Sequence, residues 1–240
     1  MPSPRLRTLF VVGLATGAVG LSGCGGGADA SGSATTTSLA TGSGSGSCSP
    51  APALPTDVQT FDAAPDPASV RGTTVTATIT TNCGDITLEL YADRAPQTVA
   101  SFEQLAQAGY WDDSPCFRLT TAGIFVLQCG DPTGTGSGSP GYGFGIENAP
   151  ADGRYPSGTL AMARTQDPNS NGGQFFIVYD DTSLPTQGGG YSIFGKVTEG
   201  LDIVKAVAQQ GVDPGSQNPQ DGSPVQPISI LKVVVTEQKA

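Results

Sequence analysis

The chain has 240 residues, with 11 basic against 21 acidic side chains, no histidine and a formal net charge of −10. That balance argues against nucleic-acid binding, which calls for basic patches; it favours solubility and says little about fold. Without histidine, the serine and cysteine side chains lack the usual base that turns them into hydrolytic nucleophiles.

At the start, Arg5 and Arg7 precede a weakly apolar run from Leu9 to Leu21, which ends in Leu21-Ser22-Gly23-Cys24. A charged beginning, a short apolar run and small residues at the end read as a secretory signal over residues 1–23. The run is shorter than the ~20 apolar residues of a membrane span. Leu-Ser-Gly-Cys resembles the bacterial lipobox, which implies that Cys24 is acylated and anchors the mature protein to the membrane outside the cytoplasm. The alternative is an ordinary signal peptide with a chance cysteine. Residues 24–72 are rich in Gly, Ser and Thr and then in Pro. Such composition buries little, so a flexible tether is expected, with a reach of about 35–40 Å. The periodic texture of residues 73–240 fits one domain of roughly 165 residues.

Within that domain Thr74–Thr80 places Val75, Ala77 and Ile79 on one face, and Ile86–Tyr91 follows after Asn82-Cys83-Gly84-Asp85, a hairpin pattern. Pro96 opens a helix in which Val99, Phe102, Leu105 and Ala106 recur at helical spacing, with Gly109 at its end. Short strands are expected at Phe117–Thr120, Phe125–Leu127, Thr159–Ala163, Phe175–Val178 and Ser192–Val197. A second helix is expected at Leu201–Gln209 and a last strand at Ile228–Thr236. About eight short strands with two helices point to a mainly β fold, a closed antiparallel barrel rather than βαβ units, and closure leaves no exposed strand edge.

Besides Cys24 there are four cysteines: Cys48, Cys83, Cys116 and Cys129. No pair has C-x-x-C spacing and no histidine completes a metal site, so no metal is expected. Cys116 and Cys129 flank two strands that can form a hairpin, which makes them a candidate disulfide; Cys48 and Cys83 remain, with their pairing open. The Gly-rich run Gly134–Gly141 lacks the Gly-Lys-Ser/Thr ending of a phosphate loop and reads as an exposed loop. The paired acids Asp112-Asp113 and Asp180-Asp181 read as solvated turns.

Two blocks carry the chemistry. Phe117-Arg118-Leu119 with Phe125-Val126-Leu127-Gln128, and Asn171-Gly172-Gly173-Gln174-Phe175-Phe176, supply one arginine, two glutamines and several aromatics, but no acid or lysine. Such a set can grip and polarise an amide but is poorly equipped to hydrolyse one. Taken singly, an arginine is usually a surface ion pair and a phenylalanine usually core; the joint spacing is what counts. These blocks, together with Gly130-Asp131-Pro132, Met162-Ala163-Arg164 and Phe194-Gly195-Lys196-Val197, resemble the cyclophilins, a family of peptidyl-prolyl cis–trans isomerases.

The resemblance implies a closed eight-stranded antiparallel β-barrel capped by two helices, with a groove for proline-containing polypeptides on its outer face. It implies that Arg118 is catalytic and that Phe125, Val126, Phe176 and Leu184 line the proline pocket. Gln128 and Gln174 would hold Arg118 and the substrate backbone, Ala163 and Arg164 would pair with the extended peptide, and Tyr191 would border the pocket through its hydroxyl. No cofactor is implied, and a monomer is expected. Some positions depart from the family pattern. Phe117 stands where a histidine is usual, Arg164 replaces an asparagine, and two extra residues lie between Arg118 and Phe125. No tryptophan lies near Leu184, which implies weak retention of cyclosporin A. The rival readings are a non-catalytic module that binds proline peptides on the same scaffold and a structural surface lipoprotein.

Overall fold

The computed structural model describes residues 48–239; the expected signal segment and Cys24 lie outside the described residues. The strands are β1 (Thr73–Thr81), β2 (Gly84–Leu90), β3 (Ser114–Pro115), β4 (Arg118–Thr120), β5 (Val126–Cys129), β6 (Arg154–Tyr155), β7 (Thr159–Met162), β8 (Phe175–Val178), β9 (Thr182–Ser183), β10 (Ile193–Glu199), β11 (Asp221–Gly222) and β12 (Ser229–Lys239). The helices are α1 (Pro96–Gln107) and α2 (Leu201–Gln210). All the strands and helices expected from periodicity are present, with ends shifted by a few residues. The two-residue strands β3, β6, β9 and β11 are too short to leave a periodic trace.

The main sheet is antiparallel throughout, in the order β11-β4-β5-β8-β7-β10-β2-β1-β12-β3. Its last strand, β3, and β4 near its other edge belong to one continuous segment. Ser114 and Pro115 pair with β12, while Arg118 and Leu119, a few residues on, pair with β5. Counting β3 and β4 as that single segment gives a ring of eight: β1, β2, β3/β4, β5, β8, β7, β10 and β12. The disulfide between Cys116 and Cys129 ties the segment to β5. The expected mainly β fold, a curled antiparallel sheet with two helices, is therefore the one observed.

Alternation along the strands fixes what lies on each side of the wall. Leu119, Leu127, Ile177 and Leu160 are register partners across β4, β5, β8 and β7, and all are at most 1% exposed. They face a core that α1 closes with Phe102, whose ring lies 4.7 Å from Trp111, 5.8 Å from Phe175 and 5.6 Å from Phe194. From α2, Val204 and Val207 enter the same core. Helix α1 starts at Pro96, where a missing N–H costs nothing. No side chain of its own caps it; the Glu147 carboxylate accepts from the Gln97 N–H (3.1 Å) and the Thr98 N–H (2.8 Å). A negative group there satisfies orphan donors and suits the helix dipole.

The described part of the expected tether, residues 48–72, is not a loose chain. Cys48 is bonded to Cys83, and the Ser49 N–H donates to Asn82 O at 2.7 Å. The Phe61 N–H donates to Pro140 O at 2.7 Å, and Gln97 Nε2 donates to Pro65 O at 2.9 Å. Val58, Phe61 and Ala64 pack against the core, and Val70 is fully buried. The sequence reading missed this strap because isolated apolar residues among prolines show no period. Their partners lie far away in the chain, so composition alone reads as disorder. Among the described residues, the folded part therefore includes the strap from Cys48 onward as well as residues 73–239.

One feature of the α1–β12 seam is pH-sensitive. Burial, then a hydrogen bond shared with Glu237 and the charge of that neighbour, raise the Glu103 carboxyl from 4.5 to about 7. Glu103 holds its proton more tightly folded than unfolded, so its stabilising contribution is complete below about pH 4.5 and fades as pH rises through 7. Urea unfolding of the wild type beside Glu103→Gln should show the wild type losing ground relative to the variant across that interval. Parallel curves would mean that the fold does not raise the Glu103 carboxyl.

Candidate active site

The other side of the same wall carries the chemistry. Arg118 on β4 pairs in register with Gln128 on β5, Gln128 with Phe176 on β8, Phe176 with Ala161 on β7, and Ala161 with Ile193 on β10. Register partners share a face, so these five residues form one row across the outside of the barrel. Val126 and Val178 lie one step along on the same face. Tyr155 and Leu184 close over the apolar end, and Val126, Tyr155, Ala161, Phe176, Val178 and Leu184 form a second hydrophobic cluster separate from the main core. Ala163, Tyr191, Ile124 and Ile193 border it, half-buried.

Arg118 sits at the polar end of the row. Its Nε donates to Asp221 Oδ1 at 2.7 Å and its Nη2 to Asp221 Oδ2 at 2.8 Å, while Nη1 donates to Gln128 Oε1 at 3.1 Å. A guanidinium has five N–H donors; with three engaged, two remain, one on each terminal nitrogen. The hydrogen bond from Arg118, followed by its charge, holds the Asp221 carboxyl below the usual carboxylate range, and Asp221 raises Arg118 in turn. Arg118 is therefore always charged here, and 39% of its side-chain surface remains open.

The hydrogen bonds continue. Gln128 Nε2 donates to Gln174 Oε1 at 3.0 Å, and Gln174 Nε2 donates to the carbonyls of Gly136 (3.1 Å) and Gly138 (3.0 Å). Each amide thus has its orientation fixed by its neighbour. The Gly-rich loop is shaped by Asp131, which is fully buried. Its Oδ1 accepts from the Thr133 N–H (2.8 Å) and hydroxyl (2.7 Å), and its Oδ2 accepts from the Gly138 N–H at 3.0 Å. Burial alone would raise this carboxyl, but the Thr133 hydroxyl and the N–H groups of Gly138, Thr133 and Gly136 together hold it below its ordinary value. A side chain at Gly138 would collide with the carboxylate, so the glycine is what lets the loop close on it. Between this loop and Ala163, Arg164, Gln128 and Gln174 lies a cavity of about 690 Å³.

The structure brings Arg118, Val126, Gln128, Ala163, Gln174, Phe176, Leu184 and Tyr191 together. Phe125 stands apart from the apolar cluster: its ring meets Tyr179 edge-on at 6.0 Å and packs toward the main core, and Ile124 takes the place beside the patch. The Arg164 side chain fastens the loop Gly188–Gly190 beside the patch, with Nε donating to Gly190 O (2.7 Å) and its guanidinium carbon 4.9 Å from the Tyr191 ring centre. Tyr191 is held through its backbone, since its N–H donates to Tyr155 Oη (2.9 Å), which in turn donates to Tyr191 O (3.0 Å). Sequence reasoning missed Asp221, Ile124, Tyr155 and the role of Asp131. Of these only Asp131 lay in a quoted motif; Asp221 sits in a turn-rich stretch that gives no signal.

Comparison with known proteins agrees with this geometry. The family model "Cyclophilin type peptidyl-prolyl cis-trans isomerase/CLD" matches residues 76–235. The chain belongs to the cyclophilin family. It is 41% identical over 185 residues to a probable peptidyl-prolyl cis-trans isomerase B of Mycobacterium tuberculosis, covering 71% of this chain and 56% of that relative. The chain thus spans little more than half the length of that relative. It is 38% identical over 173 residues to a probable peptidyl-prolyl cis-trans isomerase A of Mycobacterium bovis, covering 65% of this chain and 92% of the relative. A crystal structure of a Cryptosporidium parvum cyclophilin in the presence of the dipeptide Ala-Pro superposes with a TM-score of 0.55 at 32% identity, covering 68% of this chain and 99% of that one.

Within this cyclophilin, Asp131 is the anchor of the loop beside the cavity. Asp131→Asn replaces one acceptor oxygen by an NH2 group that faces donors, which should cost about 2 kcal/mol in urea unfolding. It should also speed hydrogen exchange at the Gly138 amide. An unchanged midpoint and unchanged exchange would show that the loop holds its shape without the carboxylate.

Proposed function

We propose that this protein is a peptidyl-prolyl cis–trans isomerase that acts on proline-containing segments of exported polypeptides. The observation that carries the reading is the single row Arg118–Gln128–Phe176–Ala161, which sets a partly free guanidinium beside an apolar patch on the outside of the barrel. Family membership supports it, as does the structure of a relative in the presence of Ala-Pro.

The chemistry needs no covalent step. Resonance stiffens an amide C–N bond and gives a rotation barrier of about 18–20 kcal/mol, and X–Pro bonds exchange over tens to hundreds of seconds. In the twisted state the nitrogen regains a lone pair. An enzyme has only to favour that state over the planar one. The prolyl ring would lie on the patch floored by Phe176 and walled by Val126 and Leu184. The backbone of Ala163 and Arg164 would hold the peptide extended, and Gln128 and Gln174 would orient both the arginine and the substrate carbonyl. An unengaged Arg118 N–H would then donate to the pyramidal nitrogen. About 1.4 kcal/mol of such selective stabilisation gives each factor of ten in rate. Rotation of this kind asks nothing of a cofactor.

We place the protein outside the cytoplasm, anchored through an acylated Cys24 after removal of residues 1–23. The support is the charged start, the apolar run and the Leu-Ser-Gly-Cys pattern. Because the strap holds residues from Cys48 onward, the tether is residues 24–47, with a reach of roughly 25–30 Å. A monomer suffices, since every group named belongs to one chain.

The test is isomerisation of a short X–Pro peptide by residues 48–240, beside Arg118→Ala. The wild type should accelerate exchange, and the variant should lose about 100-fold or more in kcat/KM, as when a directed donor to the transition state is removed. A folded wild type that binds the peptide without accelerating exchange would instead mark a proline-peptide binding module.

A further inference from the structure

We propose that Asp221 is a positioning residue for the isomerisation: its carboxylate, bound side-on to Nε and Nη2, fixes the Arg118 guanidinium so that its unengaged N–H groups meet the substrate in one orientation. This rests on the isomerase reading above.

The placement of Asp221 follows from the sheet. Strand β11 pairs with the outer edge of β4, Asp221 opposite Thr120 and Gly222 opposite Leu119. That leaves Asp221 diagonal to Arg118 on the neighbouring strand, a spacing that long side chains bridge. The backbone on either side is tied down. The Thr121 N–H donates to Gln220 O at 2.9 Å, the Asp221 N–H donates to Asn218 O at 3.2 Å, and Ser223 Oγ donates to Phe117 O at 3.3 Å. The carboxylate thus starts from a fixed base, and both its oxygens are spent on Arg118.

Nothing else in the fold asks for an acid at this position. Strand β11 is two residues long, and 36% of the Asp221 side-chain surface is open. No other described side chain bonds to it. Gln128 alone could not hold the arginine, because one acceptor on Nη1 leaves the guanidinium free to swing about that contact. Two parallel bonds on another edge remove that freedom, since a carboxylate matches the guanidinium fork. The carboxylate also offsets part of the positive charge. For a donor aimed at the lone pair of a neutral amide, direction counts for more than net charge, because a fixed dipole needs no reorganisation during the reaction.

The experiment compares Asp221→Asn and Asp221→Ala with the wild type and with Glu89→Gln, which breaks the Lys196–Glu89 ion pair (3.0 Å) on β2 and β10 as a charge control. Steady-state isomerisation of an X–Pro peptide should show kcat lower by about tenfold or more in both Asp221 variants, with KM within about twofold and the control unchanged. The Arg118 Nε–H, followed by NMR, should give a slowly exchanging signal in the wild type that is lost from both variants. The Asn variant is isosteric and keeps the comparison valid if the Ala variant fails to fold. An active wild type whose folded Asp221 variants keep kcat, or lose activity only through KM, would overturn this inference alone. A wild type without activity would overturn the isomerase reading and this inference with it.

Discussion

Everything at the site depends on the strict alternation of an antiparallel wall. In the ladder β4–β5–β8–β7, one set of register partners, Leu119, Leu127, Ile177 and Leu160, fills the core, and the adjacent set, Arg118, Gln128, Phe176 and Ala161, faces out. A one-residue slip in any of these strands would exchange the sets. The cost would be an arginine and a glutamine in the core, with leucines in solvent, so burial of the inner row enforces the outer row. The outer row of the candidate site and the stability of the fold are two consequences of one register.

The polar end of the outer row is then held from two sides. Asp131 shapes the Gly136–Gly138 loop, the loop carbonyls orient Gln174, Gln174 orients Gln128, and Gln128 and Asp221 orient Arg118. In such a line each amide is given a definite O and N side by its neighbour. The line starts at a buried carboxylate and ends at a half-exposed one, with the positive guanidinium beside the latter. The strap stiffens the same region from behind: Phe61 lies 6.4 Å ring to ring from Tyr142, and its N–H holds Pro140 in the loop that borders the cavity.

How much of this was legible in the sequence depended on the range of the interactions. The first hairpin is legible as period-two alternation in Val75, Ala77 and Ile79, the later strands as short apolar runs, and α1 and α2 as helical spacing, because those signals are local. The site residues on β4, β5 and β8 were legible through two compact motifs. What escaped was set by contacts between distant segments. Asp221 lies 103 residues from Arg118, and nothing around it distinguishes a ligand of arginine from a turn former. The strap at residues 48–72 looked disordered because its few apolar residues are stapled singly onto remote surfaces. The motif places Phe125 in the pocket, yet its ring meets Tyr179 and packs toward the main core; the chain between Arg118 and Phe125 is longer than the family pattern, and Ile124 borders the patch instead.

The degree of fixation has a physical logic for bond rotation. A reaction without covalent catalysis has only differential binding to work with, and the planar and twisted amides differ by small movements of a few atoms. A donor that reorients freely would follow the nitrogen through either state and favour neither. A donor held by three hydrogen bonds cannot follow, so its interaction energy changes as the amide twists. On the proposed reading the apolar patch would serve this end by holding the prolyl ring. On the same reading the parts that would touch the amide are few, and the polar groups Gln128, Gln174 and Asp221 keep one guanidinium still.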